Sequence, residues 1–147
     1  MNRRRRKKLQ SSLVEAAGWG SARWVARLLR AGADPDRPDH HGSTPLYRAS
    51  VQNMADNIRV LTAAGADPRR ESGAGDEGLP LCGAACWGHE AAVRELLAAG
   101  ADPHQREDHG QGRTAIDWAE AGHHHEVRAL LTDTGAPSRS AKAQACR

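Results

Sequence analysis

Eight histidines and three cysteines are the residues of this 147-residue chain best suited to bind a metal or to act as nucleophiles. The densest group is His123-His124-His125 beside Glu126, with His89, His104 and His109 elsewhere. Imidazole is a common zinc ligand, but consecutive residues on a helix project about 100° apart, so a triplet cannot close a tetrahedral site by itself. Cys82 and Cys86 stand four apart and could share a helix face with His89 nearby, which suggests a minimal zinc or redox pair. With only two thiols and no second ligand pair, the favoured reading is small packing residues. The chain has no Gly-x-Ser-x-Gly elbow, no phosphate-cradling glycine loop and no His-Glu-x-x-His pair. The expectation is therefore a chain without catalytic residues, metal or cofactor.

The elements that must position these side chains emerge from internal repetition. Gly32-Ala33-Asp34, Gly65-Ala66-Asp67 and Gly100-Ala101-Asp102 are each followed by proline, and Gly135-Ala136-Pro137 is a degenerate fourth copy; the glycines are 33, 35 and 35 residues apart. A second marker keeps step: Thr44-Pro45-Leu46, Leu79-Pro80-Leu81 and Thr114-Ala115-Ile116, with Ser11-Ser12-Leu13 as a diverged first copy. From each of these to the next repeat glycine is always 21 residues. Each 21-residue block holds two short amphipathic helices. In the third, Pro80 suits the first helical turn, Leu81, Ala84 and Ala85 form an apolar face, and Gly88 ends the helix. Ala92, Val93, Leu96 and Leu97 then line a second helix that Gly100 closes. Matching sets are Val25, Leu28 and Leu29; Ile58 and Leu61; and Val127, Leu130 and Leu131. No pair has enough apolar area to stand alone, so the pairs must stack. Between them lie polar segments such as Asp39-His40-His41-Gly42, read as protruding hairpin-like loops.

Thr44-Pro45-Leu46-Tyr47-Arg48-Ala49, and Leu79 to His89 followed by Leu96 to Asp102, resemble the ankyrin repeat signature. The resemblance implies an all-α solenoid of about four helix-turn-helix repeats over 11–136, with repeats at about 11–43, 44–78, 79–113 and 114–136. Tyr47 and Cys82 stand where that family usually has a histidine bonding between repeats, and Thr62 replaces a leucine. The last copy reads as one residue shorter around Gly122, with His123 in its Gly-His turn. The second repeat is expected to be the least stable and the fourth a frayed cap. The family binds through loop tips and the concave face of the first helices. Carried over position by position, this picks out His40, His41, Ser43 and Gln52 in the second copy and Asp76, Glu77 and Trp87 in the third. His109, Gln111 and Arg113 with Ala121 follow in the fourth, and Trp19 is the first-copy equivalent of Trp87. Trp19 and Trp87 are expected to face outward, where tryptophan anchors interfaces.

Charge is unevenly placed. Arg3, Arg4, Arg5, Arg6, Lys7 and Lys8 carry six positive charges, Arg139, Lys142 and Arg147 carry three more, and the body between is mildly acidic within a net +3. A basic arm over 1–10 and a basic tail over 137–147 are both expected to be disordered. The arm could touch phosphates, but with no aromatic residues among its charges it lacks a stacking platform. A nucleic-acid-associated factor is therefore the alternative to an unidentified protein partner. Phe is absent, Tyr occurs once and Trp four times, so the core must be leucine, valine and alanine. No apolar run fit for a signal peptide follows the basic start, and no stretch approaches a membrane span. With unpaired cysteines, these features give an expectation of a cytoplasmic, monomeric protein.

Overall fold

The computed structural model describes residues 1–133, so the expected tail, residues 134–136 and Cys146 lie outside the described residues. The elements are α1 (Arg3–Trp19), α2 (Ala22–Arg30), α3 (Pro45–Val51), α4 (Ala55–Ala63), α5 (Pro80–Cys86), α6 (Glu90–Ala98), the single turn α7 (Glu107–Gly110), α8 (Ala115–Ala121) and α9 (His125–Asp133). Helices α1, α3, α5 and α8 pack side by side in one row, and α2, α4, α6 and α9 form a second row behind them. The architecture is an all-helical solenoid of helix pairs.

Local chemistry starts and stops each pair. The Thr44 hydroxyl accepts from the Tyr47 amide at the head of α3, and Thr114 and Asp117 form a reciprocal capping box on α8. At the other end, Gly100 has φ +94, and the Ala101 amide reaches back to the Leu96 carbonyl. This left-handed closure is open to glycine at little cost. The interior is built as composition requires: Leu13, Leu46, Ile58, Leu61, Leu81, Val93, Leu96, Val127 and Leu131 are buried together with alanines from every pair. Small residues let neighbouring helices within a row approach. A Cβ on Gly83 would sit 2.8 Å from the Val51 side chain and 3.0 Å from Tyr47, so α3 and α5 meet backbone to side chain there.

Residues 3–10 correct the expectation of a disordered arm. They are the first turns of α1, started by the Asn2 side chain, which accepts from the Arg5 amide at 2.8 Å. Gln10 then docks this helix on the first loop, its amide donating to the carbonyls of Asp34 and Arg37 and accepting from the Asp34 amide. A charged chain terminus is ordinarily solvated and disordered; capping and this tertiary clamp override that tendency.

The joints between repeats show a second correction. His89 Nε2 lies 3.1 Å from the Val51 carbonyl, and His124 Nε2 lies 3.0 Å from the Cys86 carbonyl, so each ring serves the open end of the preceding first-row helix. His124 is 35 residues after His89, and the last copy is not shortened. His123, with φ +57, takes the left-handed place held by Gly88 in the third repeat and by Asn53 in the second. In register the second repeat carries Met54, which has no donor. Asn57, one turn further on, replaces it: its amide lies within 3.2 Å of the carbonyls of Ala16, Ala17 and Gly20.

Asn57→Ala is expected to lower unfolding stability by about 1–3 kcal/mol, the cost of stranding buried carbonyls, with Met54→His returning part of the loss. Urea denaturation of the single and double variants checks both. An unchanged midpoint for Asn57→Ala would remove this account of the joint.

Candidate interaction surface

Loop geometry sorts the expected contact residues into two groups. His40 and His41 are exposed at the first loop tip with ring centroids 3.8 Å apart. Asp76 is exposed and accepts from the Ala74 amide, His109 is exposed with its backbone amide held by Glu71, and Gln111 is exposed. Gln52 is half-buried at the end of α3. Trp19, at the end of α1, is 70% exposed, and Trp87, at the end of α5, is 65% exposed. Both indoles stand free at corresponding helix ends, with Gln52 at the end of the helix between them. In the kept register the fourth position is Gly122 rather than Ala121.

Ser43 must be withdrawn from this surface because it is buried. Its hydroxyl donates to Glu77 and accepts from Arg48 at 3.1 Å, while the other Glu77 oxygen accepts from the Ser72 hydroxyl at 2.6 Å. Ser72 in turn accepts from the Thr44 amide at 2.8 Å. Glu77 is thus a loop-closing residue that ties the loop before α5 to the loop before α3. Arg113 remains exposed but is committed, with its guanidinium carbon 4.8 Å from the centre of the Trp118 ring.

One residue that sequence reasoning passed over holds the next joint. Glu107, 35 residues after Ser72, does for Leu79 what Ser72 does for Thr44: its carboxylate accepts from the Leu79 amide at 3.1 Å. The other oxygen accepts from the Trp118 indole at 2.7 Å. The shared register of Ser72 and Glu107 was the available signal, but the different side chains hid it. Burial raises the Glu107 pKa above the usual carboxylate range, opposed by the hydrogen bonds from Trp118, Leu79 and Cys82. Burial, then the charges of Glu77 and Glu107, lifts the Tyr47 phenol to about 12. Burial first and Glu107 second push both the Cys82 and Cys86 thiols up, which disfavours the thiolates that redox or zinc chemistry needs. Among the described residues, no group of three or more His, Cys, Asp or Glu could hold a metal, and no helix is long and apolar enough to cross a membrane.

Because the folded-state pKa of Glu107 is raised, the native state holds that proton to higher pH than the unfolded chain does. Its contribution to stability therefore falls as pH rises from the ordinary carboxylate value through the raised one. Glu107→Gln keeps an acceptor oxygen and loses the titration. The stability of the variant relative to wild type is expected to improve from mildly acidic to neutral pH, read from urea midpoints across that range. A constant difference would show that burial does not control this group.

The ankyrin repeat model matches residues 79–108, the segment that runs from Leu79 through both helices to the Glu107 turn. Across 129 residues, 86% of this chain, the sequence is 34% identical to ankyrin repeat domain-containing protein 63 of Homo sapiens. Residues 79–108 are an ankyrin repeat, and the all-helical stack around them fits an ankyrin-repeat solenoid. The chain spans 33% of that human relative's length. In ankyrin terms, Trp19, Gln52 and Trp87 mark the ends of successive first helices, and His40, His41, Asp76, His109 and Gln111 mark the loop tips. With Tyr47 and Cys82 in place of the ankyrin histidine, the joints are bonded by Ser72, Glu107, Asn57, His89 and His124, and Cys82 itself donates to the Arg113 carbonyl at 3.9 Å.

Proposed function

We propose that this ankyrin-repeat chain is a non-catalytic binding protein that grips a protein partner with the line Trp19, Gln52 and Trp87 and with the neighbouring loop tips. Ankyrin repeats generally mediate protein–protein interaction, which supports the class of function. The single observation that carries the site is the pair of indoles, 70% and 65% exposed, at corresponding helix ends of a chain otherwise poor in aromatics. Tryptophan dominates interface energetics out of proportion to its frequency. The stacked pairs hold these side chains in place before contact, which lowers the ordering cost of association. Cys82 and Cys86 are free thiols, which fits a reducing cytoplasm, where we place the protein as a monomer.

The test is quantitative capture from the native source on immobilised wild type, Trp19→Ala, Trp87→Ala and Arg94→Ala, the last on the exposed side of α6. Partners retained by wild type and Arg94→Ala but lost from both tryptophan variants support the reading. Equal retention on all four sinks it.

A further inference from the structure

Residues 1–40 contain ten arginines and lysines against four carboxylates, whereas residues 41–133 contain eight against fourteen. The positive charge is concentrated on the first helix pair and the loop after it. Arg3 to Lys8 are all exposed on the first two turns of α1. Arg23, Arg27 and Arg30 form one stripe along α2 beside the partly exposed Trp24. The two sets adjoin: a Cβ on Gly32, just past α2, would lie 4.0 Å from the Met1 side chain at the head of α1. Between α1 and the first loop runs a groove of about 920 Å³ lined by Arg3, Arg6, Lys7, Lys8, Arg37 and His40. Among the described residues, none of these cations enters an ion pair; the four basic side chains that do are Arg48, Arg59, His109 and Arg128.

This arrangement works against its own helix. The first turns of a helix favour carboxylates, because the backbone dipole places positive charge there, and like charges three and four apart repel. Here six cations and no acid occupy that end. Where a local rule is broken without internal compensation, function is the expected reason. An external polyanion would relieve both repulsions together.

We propose that the first helix pair is a nucleic-acid docking surface, its cations placed to contact the phosphate backbone of a duplex. The placement of the charges favours a duplex over an acidic protein segment. Six consecutive charges at about 100° steps encircle α1, so they cannot converge on one narrow row of carboxylates. A helix lying in a major groove about 12 Å wide meets phosphates on both sides. Eight of the ten cations are arginine, whose planar fork pairs bidentately with phosphate and with carboxylate alike, so it adds strength to the contact and leaves the choice of partner to the geometry. The α2 stripe and Arg37 widen the footprint beyond the helix end, so binding is backbone-directed and indifferent to base sequence. This surface shares the first helix pair with Trp19 and its groove with His40, but Trp87 lies two repeats away, so a Trp87 variant separates the two readings.

The experiment is fluorescence anisotropy of the full chain with a labelled 20-base-pair DNA duplex across a salt series. Binding is expected to weaken steeply with salt, log K falling by about 0.9 per phosphate contact for each unit of log salt. Two triple variants, Arg3→Ala/Arg6→Ala/Lys7→Ala and Arg23→Ala/Arg27→Ala/Arg30→Ala, are each expected to lower that slope by about 2–3. Trp87→Ala should leave it unchanged. The basic tail is present in every sample, so only differences between variants count. Matching thermal melts show that each variant is folded, and the arm variant is expected to melt higher than wild type at low salt. No binding at low salt, slopes untouched by both triple variants, or equal affinity for polyglutamate of matched charge would each overturn the proposal. The last outcome would assign the surface to an acidic protein segment. Tighter retention on anionic phospholipid vesicles than on the duplex would assign it to a membrane and overturn the proposal equally.

Discussion

Leu96→Ala is expected to lower the unfolding free energy by about 2–5 kcal/mol and Leu28→Ala, the same substitution two repeats earlier, by clearly less. Leu96 is fully buried in α6, which packs against α5, α4 and α9. Truncation there removes apolar contact from its own pair and from both neighbours, and packed helices close such a cavity only in part. Leu28 holds the corresponding place in α2 but is only partly buried, because the first pair has a neighbour on one side alone. In a one-dimensional stack stability is the sum of repeat and interface contributions, so a central lesion uncouples both flanks whereas a terminal one frays a single end. Urea unfolding with two probes reads the difference. Leu96→Ala should shift the midpoint far and can split the transition, with a smaller slope marking the loss of cooperativity. Equal shifts for the two variants would mean that the pairs are not stacked as described.

The helix pairs were legible in the sequence because their signals are local and repeated: the Thr-Pro-Leu marker, the Gly-Ala-Asp marker and leucines at helical spacing between them. Outward-facing Trp19 and Trp87 followed from the ankyrin resemblance carried over in register. The features that were missed depend on contacts distant in sequence. Ser43 reads as a polar loop residue, and only the fold brings Glu77 onto it from 34 residues away. Glu107 reads as one acid among several in a charged loop, yet its carboxylate closes on Leu79 and Trp118. The arm reads as disordered because it is a solvated, charged chain terminus, and nothing near it announces that Gln10 will be clamped by Asp34 and Arg37. In the last copy, an adjacent Gly122 drew the turn one residue early. His123 adopts a left-handed backbone that side-chain residues rarely take, which kept the register that sequence alone had shortened.

Trp87→Ala is expected to weaken the partner complex by at least about 2 kcal/mol, on the order of 30-fold in Kd, while leaving the unfolding midpoint nearly unchanged. The two halves of this expectation have one cause. At 65% exposure the indole contributes little to the folded core, and exposed substitutions usually move stability by no more than about 0.5 kcal/mol. The same exposed area becomes available for burial on association, and covering most of a tryptophan is worth about 2–4 kcal/mol at roughly 25 cal/mol per Å². Trp87 ends α5 with its backbone amide still bonded to the helix, so alanine preserves the turn and removes only the ring. Trp87→Phe should fall between wild type and alanine, because an aromatic face remains with less area and no indole donor. Trp19 lies two repeats away, so its effect should add to that of Trp87 within about 0.5 kcal/mol if both contact the same partner. Calorimetric titration of the captured partner against wild type, Trp87→Ala, Trp87→Phe, Trp19→Ala and the double alanine variant measures these differences directly. Full affinity in a folded Trp87→Ala protein would move the binding surface elsewhere on the solenoid.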